Sequence, residues 1–430
     1  MKVMLIVLVI FFLLIALRVP VGISMGIASM CGFVTIGFNL TTVAGVVYSS
    51  VSSASMMCIP GYILAGALMS RGGIARALVD VMEAWIGHLH GGMAIAAVVA
   101  CGFFAAITGS SAATIAAIGT LMIPAMVDAG YEKDFSMGLI AGSGSLGILI
   151  PPSITMVLYA VAAEVSVAKL FSAGMLPGVI VVVLYSVYSV FYSRHVKRSM
   201  SPKKSFRERL IITAKAIPAL LLPVIILGSI YGGIMTATEA SALACVYAIL
   251  ASVLFYHGFT VKTFIDCVID SLKSTANIFI IMVGCAMFAL LLSTERIPKK
   301  LLEIVMSANM PPMLVVVMCT IVVLILGCFL DGNSIVLITA PLVAPIISAI
   351  GYDLVAFGIV LTVGIQVGMM TPPVGLNLFM VASMENEPVG KVLKGNLPFL
   401  IIMLVFLFVL IFIPDIATCI PRLLHPTTGG

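Results

Sequence analysis

The chain is built from long apolar runs separated by short polar stretches, a pattern typical of membrane-spanning helices. A helix needs about 20 apolar residues to cross a bilayer, whereas a barrel strand is about ten residues of alternating polarity. The runs in this chain are near the helical length, and they do not alternate. They predict an all-α polytopic membrane protein with about ten spans, at 3–17, 20–37, 50–70, 136–160, 171–193, 211–232, 236–256, 274–293, 355–383 and 397–418.

Two further apolar regions, 92–127 and 312–349, carry polar residues in their middle, "ITGSSAAT" in the first and "LDGNSI" in the second. We interpret each region as a re-entrant helical hairpin with a polar tip. Each half of the chain then crosses the membrane five times, so the second half is inverted relative to the first. Inverted-topology repeats recur in secondary transporters. The inversion fails if either region is a full span.

Two predicted spans contain helix-breaking residues at matching positions. "GSGSLGILIPPSI" occupies 142–154 and "VGIQVGMMTPPVGLN" occupies 363–377, and their proline pairs are 372 − 151 = 221 residues apart. Six further identities at the same offset indicate an internal duplication. They are Pro124 with Pro345, Gly130 with Gly351, Tyr131 with Tyr352, Gly147 with Gly368, Gly174 with Gly395, and Pro177 with Pro398.

A broken helix at membrane depth leaves backbone N–H and C=O groups that lipid cannot satisfy. Such a break is tolerated when it is buried in protein or lines a wet cavity. There, free carbonyls can bind a cation and half-helix N-termini can face an anion. The alternative for a single Gly/Ser patch is close packing of small residues between helices. Because the double proline is repeated in both halves, we favour the broken-helix interpretation.

The most polar segment, "RHVKRSMSPKKSFRER" at 194–209, carries seven Lys or Arg against one Glu. A short basic loop next to spans stays in the cytoplasm. The predicted organisation is therefore a first repeat at 1–193, a cytoplasmic linker at 194–209 and a second, inverted repeat at 210–430. With five crossings in each repeat, both termini are predicted to be periplasmic.

Composition and charge exclude several classes of function. The chain is 62% hydrophobic and 9% charged, against roughly 25% charged residues in soluble domains. We read the net charge of +5 as loop asymmetry, and it does not indicate nucleic-acid binding. No G-x-x-x-x-G-K-[ST] or H-E-x-x-H motif occurs. We therefore expect neither an enzyme nor an organic cofactor, and the energy source is expected to be an ion gradient or a partner.

The hairpin tips supply polar chemistry at membrane depth. Residues 108–114 read "TGSSAAT", and their hydroxyls can ligate a hard cation. The second tip reads "DGNS" at 331–334, and Asp331 is the only carboxylate between Glu303 and Asp353. An acid at membrane depth is costly and is a functional candidate by default. The alternative is that Asp331 is solvated near the surface or caps the following helix.

These motifs resemble the large membrane (M) subunit of TRAP transporters, the tripartite ATP-independent periplasmic transporters of bacteria. The resemblance runs from about Pro20 to the C-terminal span. Two departures are Thr108, where the family commonly has Ser, and "MTA" at 235–237, where Phe-Thr-Pro is common. The motifs that carry the resemblance are "IPGYILAGALMSRGGIARAL" (59–78), "FFAAITGSSAATIAAIGTLMIPAMVDAGY" (103–131), "GSGSLGILIPPSI" (142–154), "GGIMTATEASA" (232–242) and "GMMTPPVGLNLF" (368–379).

The resemblance implies sodium-driven import by an elevator mechanism in the bacterial inner membrane. It also implies two partners: a small membrane subunit (Q-type), separate from this chain, and a periplasmic substrate-binding protein (P-type). The cargo it implies is an organic acid, and we expect a sialic acid. A stand-alone sodium-coupled dicarboxylate carrier or ion antiporter of similar two-hairpin fold is the alternative.

Site residues also follow from the resemblance, as two groups. The sodium ligands it implies are Ser110, Ser111, Gly142, Ser143, Gly144 and Ser145 for one site, and Asp331, Asn333, Gln366 and Thr371 for the other. The positions expected to face the substrate are Thr108, Gly109, Pro151, Pro152, Ser334, Pro372, Pro373 and Asn377.

Overall fold

Helices are the only regular elements among the residues that the structure describes. The computed structural model describes residues 2–17, 19–194, 203–256, 258–308 and 310–424. The helices of the first half are α1 Lys2–Ala16, α2 Val21–Thr35, α3 Leu40–Val51, α4 Cys58–Arg71, α5 Ile74–Ile86, α6 Gly92–Thr108, α7 Ser111–Asp128, α8 Lys133–Gly144, α9 Ile154–Ala162 and α10 Val167–Ser193. Short 3-10 helices precede α4 and follow α8, at Ala54–Met57 and Ser145–Ile148.

The second half begins after the predicted basic linker, of which residues 195–202 lie outside the described residues. Ser205 starts α11 with a capping box, in which its side chain and that of Glu208 each bind the other's backbone N–H. The helices are α11 Phe206–Tyr231, α12 Ala237–Leu254, α13 Val261–Thr294, α14 Ile297–Ser307, α15 Pro312–Gly327, α16 Gly332–Ala349, α17 Leu354–Met369, α18 Leu376–Glu385, α19 Val389–Phe412 and α20 Asp415–Leu424.

The order of helices recurs with the offset found in the sequence. Helix α7 begins at Ser111 and α16 at Gly332, which is 332 − 111 = 221 residues later, and their last residues differ by the same number. The series α6 to α10 thus corresponds to α15 to α19. Both proline pairs, Pro151-Pro152 and Pro372-Pro373, contain a cis peptide bond. The inversion of one half relative to the other in the membrane stays a prediction.

The third predicted span differs from the observed structure. Residues 50–70 are predicted to form one span, whereas α3 and the segment Ala54–Arg71 are two helical pieces bent by 51° at a short break. Ser52 and Ser53 lie at this bend, and serine is a weaker helix former than alanine or leucine. The predicted span at 274–293 is the second part of the longer helix α13.

Seven helices of the described residues are long and apolar enough to cross a membrane, or eight if the bent pair is one span. They include α7 and α16, the second arms of the two predicted hairpins. Length alone therefore does not decide between a hairpin arm and a span. The count of ten crossings and the periplasmic position of the termini stay predictions.

The two halves interlock, because helices of one pack against helices of the other. Helix α2 packs on α13 and α4 on α12, while α8 packs on α19, α9 on α16, and α7 on α18. An ionic cluster joins α8 to the loop between α18 and α19, where Lys133 Nζ lies 3.2 Å from a Glu387 carboxylate oxygen. Hydrogen bonds from Lys391 and Lys133 hold the pKa of the Glu387 carboxyl below its usual value.

Candidate functional site

The tip of the first hairpin lies against the first helix break. Gly109, between α6 and α7, has φ +60°, which glycine adopts without strain. A Cβ at this position would stand only 2.6 Å from the Pro152 carbonyl oxygen. The Ile154 N–H, at the start of α9, donates to the Gly109 carbonyl at 3.3 Å. Backbone contact therefore ties the first tip to the second part of its own broken helix.

The first break is buried, and the serine hydroxyls within it form hydrogen bonds to nearby backbone groups. Ser143 donates to the carbonyl of Leu139, and Ser145 donates to that of Gly142 at 2.6 Å. Ser153 caps α9 by accepting from the Met156 N–H at 3.3 Å. These serines are fully buried, so their hydroxyl protons are already committed within the break and only oxygen lone pairs remain for another partner.

The second tip carries a carboxylate as a helix cap. The Asp331 carboxylate accepts hydrogen bonds from the backbone N–H of Asn333 at 3.2 Å and of Ser334 at 3.3 Å, and from the Ser334 hydroxyl. The capping alternative raised by the sequence is therefore confirmed, but Asp331 also lines a cavity. A negative charge is favourable at this position because it faces the N-terminus of α16.

The second break is tied to its hairpin in the same way as the first. The N–H groups of Val374 and Gly375 point to the carbonyl of Cys328, at the end of α15, at 3.2 and 3.4 Å. The Thr371 hydroxyl donates to the Val367 carbonyl at 2.6 Å. Unlike the first break, this one is exposed at Pro372, Pro373 and Val374.

Side-chain hydrogen bonds join each tip to the broken helix of the other half. The Ser111 hydroxyl donates to the Asn377 side-chain oxygen at 2.9 Å, and the Thr155 hydroxyl donates to that of Asn333 at 3.0 Å. Gln366 donates from Nε2 to the carbonyl of Ser145 at 2.8 Å. Because Ser145 and Gln366 are themselves 366 − 145 = 221 residues apart, this bond joins equivalent positions of the two halves.

Both tips open onto one cavity of about 560 Å³. The broken helices supply part of its wall, and α4 and α13 supply the opposite part. The polar residues that line it are Ser70, Arg71, Thr108, Ser110, Ser111, Thr155, Asp270, Ser271, Ser274, Asn277, Asp331 and Asn333.

In the structure, the site residues expected from the sequence lie in three different places. The cavity wall contains Thr108, Gly109, Ser110, Ser111, Asp331 and Asn333. Buried behind it are Gly142, Ser143, Gly144, Ser145, Pro151, Pro152, Ser334, Gln366 and Asn377. At the exposed second break are Thr371, Pro372 and Pro373, with Thr371 half-buried. Within the second group, the buried Gln366 Oε1 has no hydrogen-bond partner in the described residues.

Sequence reasoning missed the polar faces of α4 and α13. Asp270, Ser274 and Asn277 are spaced i, i+4, i+7 in α13, and this spacing places them on one helical face. The Arg71 Nη2 lies 2.6 Å from a carboxylate oxygen of Asp270. The polar residues of this face are visible in the sequence as "DSLKSTAN" at 270–277, but the long apolar run that follows them predicts a lipid-facing span.

Similarity to known proteins agrees with the resemblance seen in the motifs. The family model for the DctM component of tripartite ATP-independent periplasmic transporters matches residues 8–416. The C4-dicarboxylate TRAP transporter large permease protein DctM of Pseudomonas aeruginosa is 41% identical over 368 residues, which cover 86% of each chain. The sialic acid TRAP transporter permease protein SiaT of Haemophilus influenzae is 33% identical over 422 residues, covering 97% of this chain and 68% of that protein.

The fold is also that of a solved transporter. The YdaH transporter of Alcanivorax borkumensis superposes with a TM-score of 0.60 at 15% identity, over 87% of each chain. At this identity the likeness supports the fold alone. The family match, in contrast, covers nearly the whole chain, and the relatives are permeases. The chain therefore belongs to the DctM component family of the tripartite ATP-independent periplasmic transporters, and it is a large permease subunit rather than an enzyme.

Proposed function

We propose that this chain imports an organic acid into the cell, driven by a sodium gradient, as the large subunit of a three-part transporter. The observation that carries the proposal is the single cavity onto which both hairpin tips open. Its volume of about 560 Å³ lies in the range of small-molecule sites, about 300–1,000 Å³. Polar tips at this depth are expected where a solute crosses, since lipid would not tolerate them.

Long-range hydrogen bonds within two separate groups of helices support an elevator mechanism. In the group we assign as the static scaffold (α1–α4 and α11–α13), the Tyr62 hydroxyl donates to the Ala237 carbonyl at 3.0 Å. In the group we assign as mobile (α6–α10 and α15–α19), the Tyr159 hydroxyl donates to the Leu354 carbonyl at 2.8 Å. The cavity lies between the two groups, so movement of one against the other would carry its contents across the membrane.

Oxygen atoms near the tips support sodium as the coupling ion, because hard cations prefer oxygen ligands. The buried Gln366 Oε1, which has no hydrogen-bond partner among the described residues, is the strongest single support, since a bound cation would satisfy it. We assign the first sodium to Ser110, Ser111, Gly142, Ser143, Gly144 and Ser145, and the second to Asp331, Asn333, Gln366 and Thr371.

The family match supports proposals for the substrate and for the partners. The name of the P. aeruginosa relative makes a C4-dicarboxylate such as succinate the first probe, and the sialic acid expected from the sequence is the second. We propose a periplasmic binding protein as the donor of the substrate and a small membrane subunit that packs against the scaffold. In this arrangement the linker 194–209 is cytoplasmic and both termini are periplasmic.

Reconstitution in proteoliposomes tests the proposal. The chain is purified with its small subunit, an inward sodium gradient is imposed, and uptake of labelled succinate and labelled sialic acid is measured with and without candidate binding proteins. We expect uptake of one acid that requires both sodium and its binding protein.

Three outcomes would count against parts of this proposal. Equal uptake after replacement of sodium by potassium would exclude sodium coupling. Uptake that does not depend on any binding protein would favour the stand-alone carrier. Uptake of neither acid by a folded, complete complex would contradict the substrate class.

A further inference from the structure

An ion pair borders the cavity on the scaffold side. Arg71 is the last residue of α4, and Asp270 lies on the cavity-facing side of α13. Their closest nitrogen and oxygen are 2.6 Å apart, and their side chains are 46% and 50% exposed. Both residues belong to the same group of helices, so the pair does not connect the scaffold to the mobile group.

The cavity wall carries more negative than positive side chains, which is unfavourable for an anionic substrate. Arg71 is the only positively charged residue in the described cavity wall, whereas Asp270 and Asp331 are both negative. An organic acid that enters this space meets two carboxylates and one guanidinium. Two like charges disfavour a third, and the proposed sodium at Asp331 offsets only one of them, so binding of a carboxylate is favoured by a further cation that can turn toward it.

The guanidinium is able to bind a second carboxylate. It carries five N–H donors in a planar fork, and in the described residues its hydrogen bond to Asp270 uses only Nη2. An exposed ion pair of this kind is weak and exchanges its partners readily. Ser274 and Asn277 continue the polar face of α13 away from Asp270 and offer neutral hydrogen-bonding groups to the rest of a small acid.

We propose that Arg71 binds the carboxylate of the transported acid in this cavity, and that Asp270 is an internal competitor that occupies Arg71 when the cavity is empty of substrate. The inference rests on the proposed function and deepens it, because it names the residue that makes the cavity selective for acids. Asp270 holds the guanidinium in place and is displaced by the substrate, which allows release as well as binding.

The two partners have opposite predicted effects on the KM for uptake. Arg71→Gln removes the carboxylate partner and raises the KM about tenfold, as expected for loss of a charge-assisted hydrogen bond. Asp270→Asn frees Arg71 from its competitor and lowers the KM about two- to fivefold, the range expected for an exposed ion pair. If the pair only braced the scaffold, both variants would change uptake in the same direction.

The experiment uses the complete complex in proteoliposomes, with labelled succinate or labelled sialic acid, whichever the wild type transports. Arg71→Lys, which keeps the charge but loses the fork, is expected to lie between wild type and Arg71→Gln. The matched control is Arg422→Gln, which breaks an ion pair of similar length, 2.7 Å to Asp415, away from the cavity. It is expected to leave the KM unchanged.

A binding measurement separates this inference from the transport proposal. Thermal unfolding of the detergent-solubilised complex is followed in sodium with added succinate, sialic acid or the neutral succinamide. Stabilisation by an acid that Arg71→Gln abolishes supports the inference even if sodium-driven uptake fails. The inference is overturned if no acid stabilises the wild type, if succinamide stabilises it equally, or if Asp270→Asn and Arg71→Gln change the KM in the same direction. Should Arg71→Gln not fold, Arg71→Lys takes its place, and its KM must still move opposite to that of Asp270→Asn.

Discussion

The two helix breaks share a sequence pattern and a cis proline pair but differ in their surroundings. Pro151 and Pro152 are buried, whereas Pro372 and Pro373 are exposed and the adjacent Val374 is 40% exposed. Irregular backbone is not tolerated against lipid, so the exposed break must face water or another protein. A duplicated motif therefore specifies where the helix breaks, while the neighbouring helices decide what environment the break meets.

The second helix after each break, α10 in the first half and α19 in the second, accounts for the difference. Helix α10 lies over the first break, with Gly174 and Gly178 so close that an added Cβ would stand 2.6 Å from the Leu149 carbonyl and 2.7 Å from the Ile150 side chain. In the second half, Gly395 is the counterpart of Gly174, but it packs on Asp134 and Gly138 of α8. Because α19 packs against the first half, no helix in the described part of the chain covers the second break as α10 covers the first.

The largest effect is expected where α19 meets α8. Gly395→Leu would force a side chain into the backbone of Asp134, which cannot move aside. Overpacking costs about 1–3 kcal/mol and occasionally more, and we expect the upper end of this range when backbone is the obstacle. We expect loss of the monodisperse complex in size-exclusion chromatography. Gly390→Leu, on the same helix with nothing within 4 Å of its added Cβ, is the control and should purify as wild type.

If Gly395→Leu also purified normally, the close crossing of α8 and α19 would be wrong, and with it the explanation for the exposed second break.

The next largest effect is expected at the two hairpin tips, which differ by one negative charge. Ser110 caps α7 in the first tip, and Asp331, 331 − 110 = 221 residues later, caps α16 in the second. Asp331→Ser keeps a capping side chain and removes the carboxylate from the cavity, so we expect a folded protein with uptake reduced at least about tenfold, as for a lost charged ligand. Asp331→Ala also removes the helix cap, which lowers the free energy of unfolding by about 1 kcal/mol.

Asp353 provides the control, since it caps α17 through two backbone N–H groups at 2.7 and 3.0 Å but lies outside the cavity wall. Asp353→Ala should lower thermal stability about as much as Asp331→Ala and leave uptake intact. Wild-type uptake by Asp331→Ser would place Asp331 outside the mechanism.

Exposure of the second break can be measured directly. Val374 and Ser153 are equivalent at the 221-residue offset, and a cysteine at each reports on one break. In a background with the exposed Cys419 replaced by serine, Val374→Cys should react with a polar maleimide at least about tenfold faster than the buried Ser153→Cys. Equal rates would mean that both breaks share one environment.

Sequence reasoning located the irregular segments because breaks and tips are local. Glycine and paired prolines weaken a helix through their own backbone geometry, and aspartate favours a helix cap, so the positions of Gly109, Asp331 and the two proline pairs could be predicted locally. The polar face of α13 was missed because whether Ser274 faces lipid or a cavity depends on helices far away in the chain. For the same reason, the burial of Gln366 and the exposure of Pro372 could not be read from the duplicated motif.

The smallest effect compares two of the hydrogen bonds that cross between the halves, one at each hairpin tip. Asn377 is fully buried, accepts from Ser111 at 2.9 Å and donates to the Ala141 carbonyl at 3.4 Å, whereas Thr155 donates to the half-buried Asn333 at 3.0 Å. Asn377→Leu leaves the Ser111 hydroxyl and the Ala141 carbonyl unpaired, at a cost of about 1–3 kcal/mol.

Thr155→Val loses one bond whose acceptor is partly solvated and should cost about 1 kcal/mol or less. Thermal unfolding of both purified variants is therefore expected to rank Asn377→Leu below Thr155→Val. The first half of the site would then be the more rigid, because Ser111 and its partner Asn377 are both buried while Asn333 of the second tip is half-buried. The opposite ranking would mean that the buried break is not the better supported of the two.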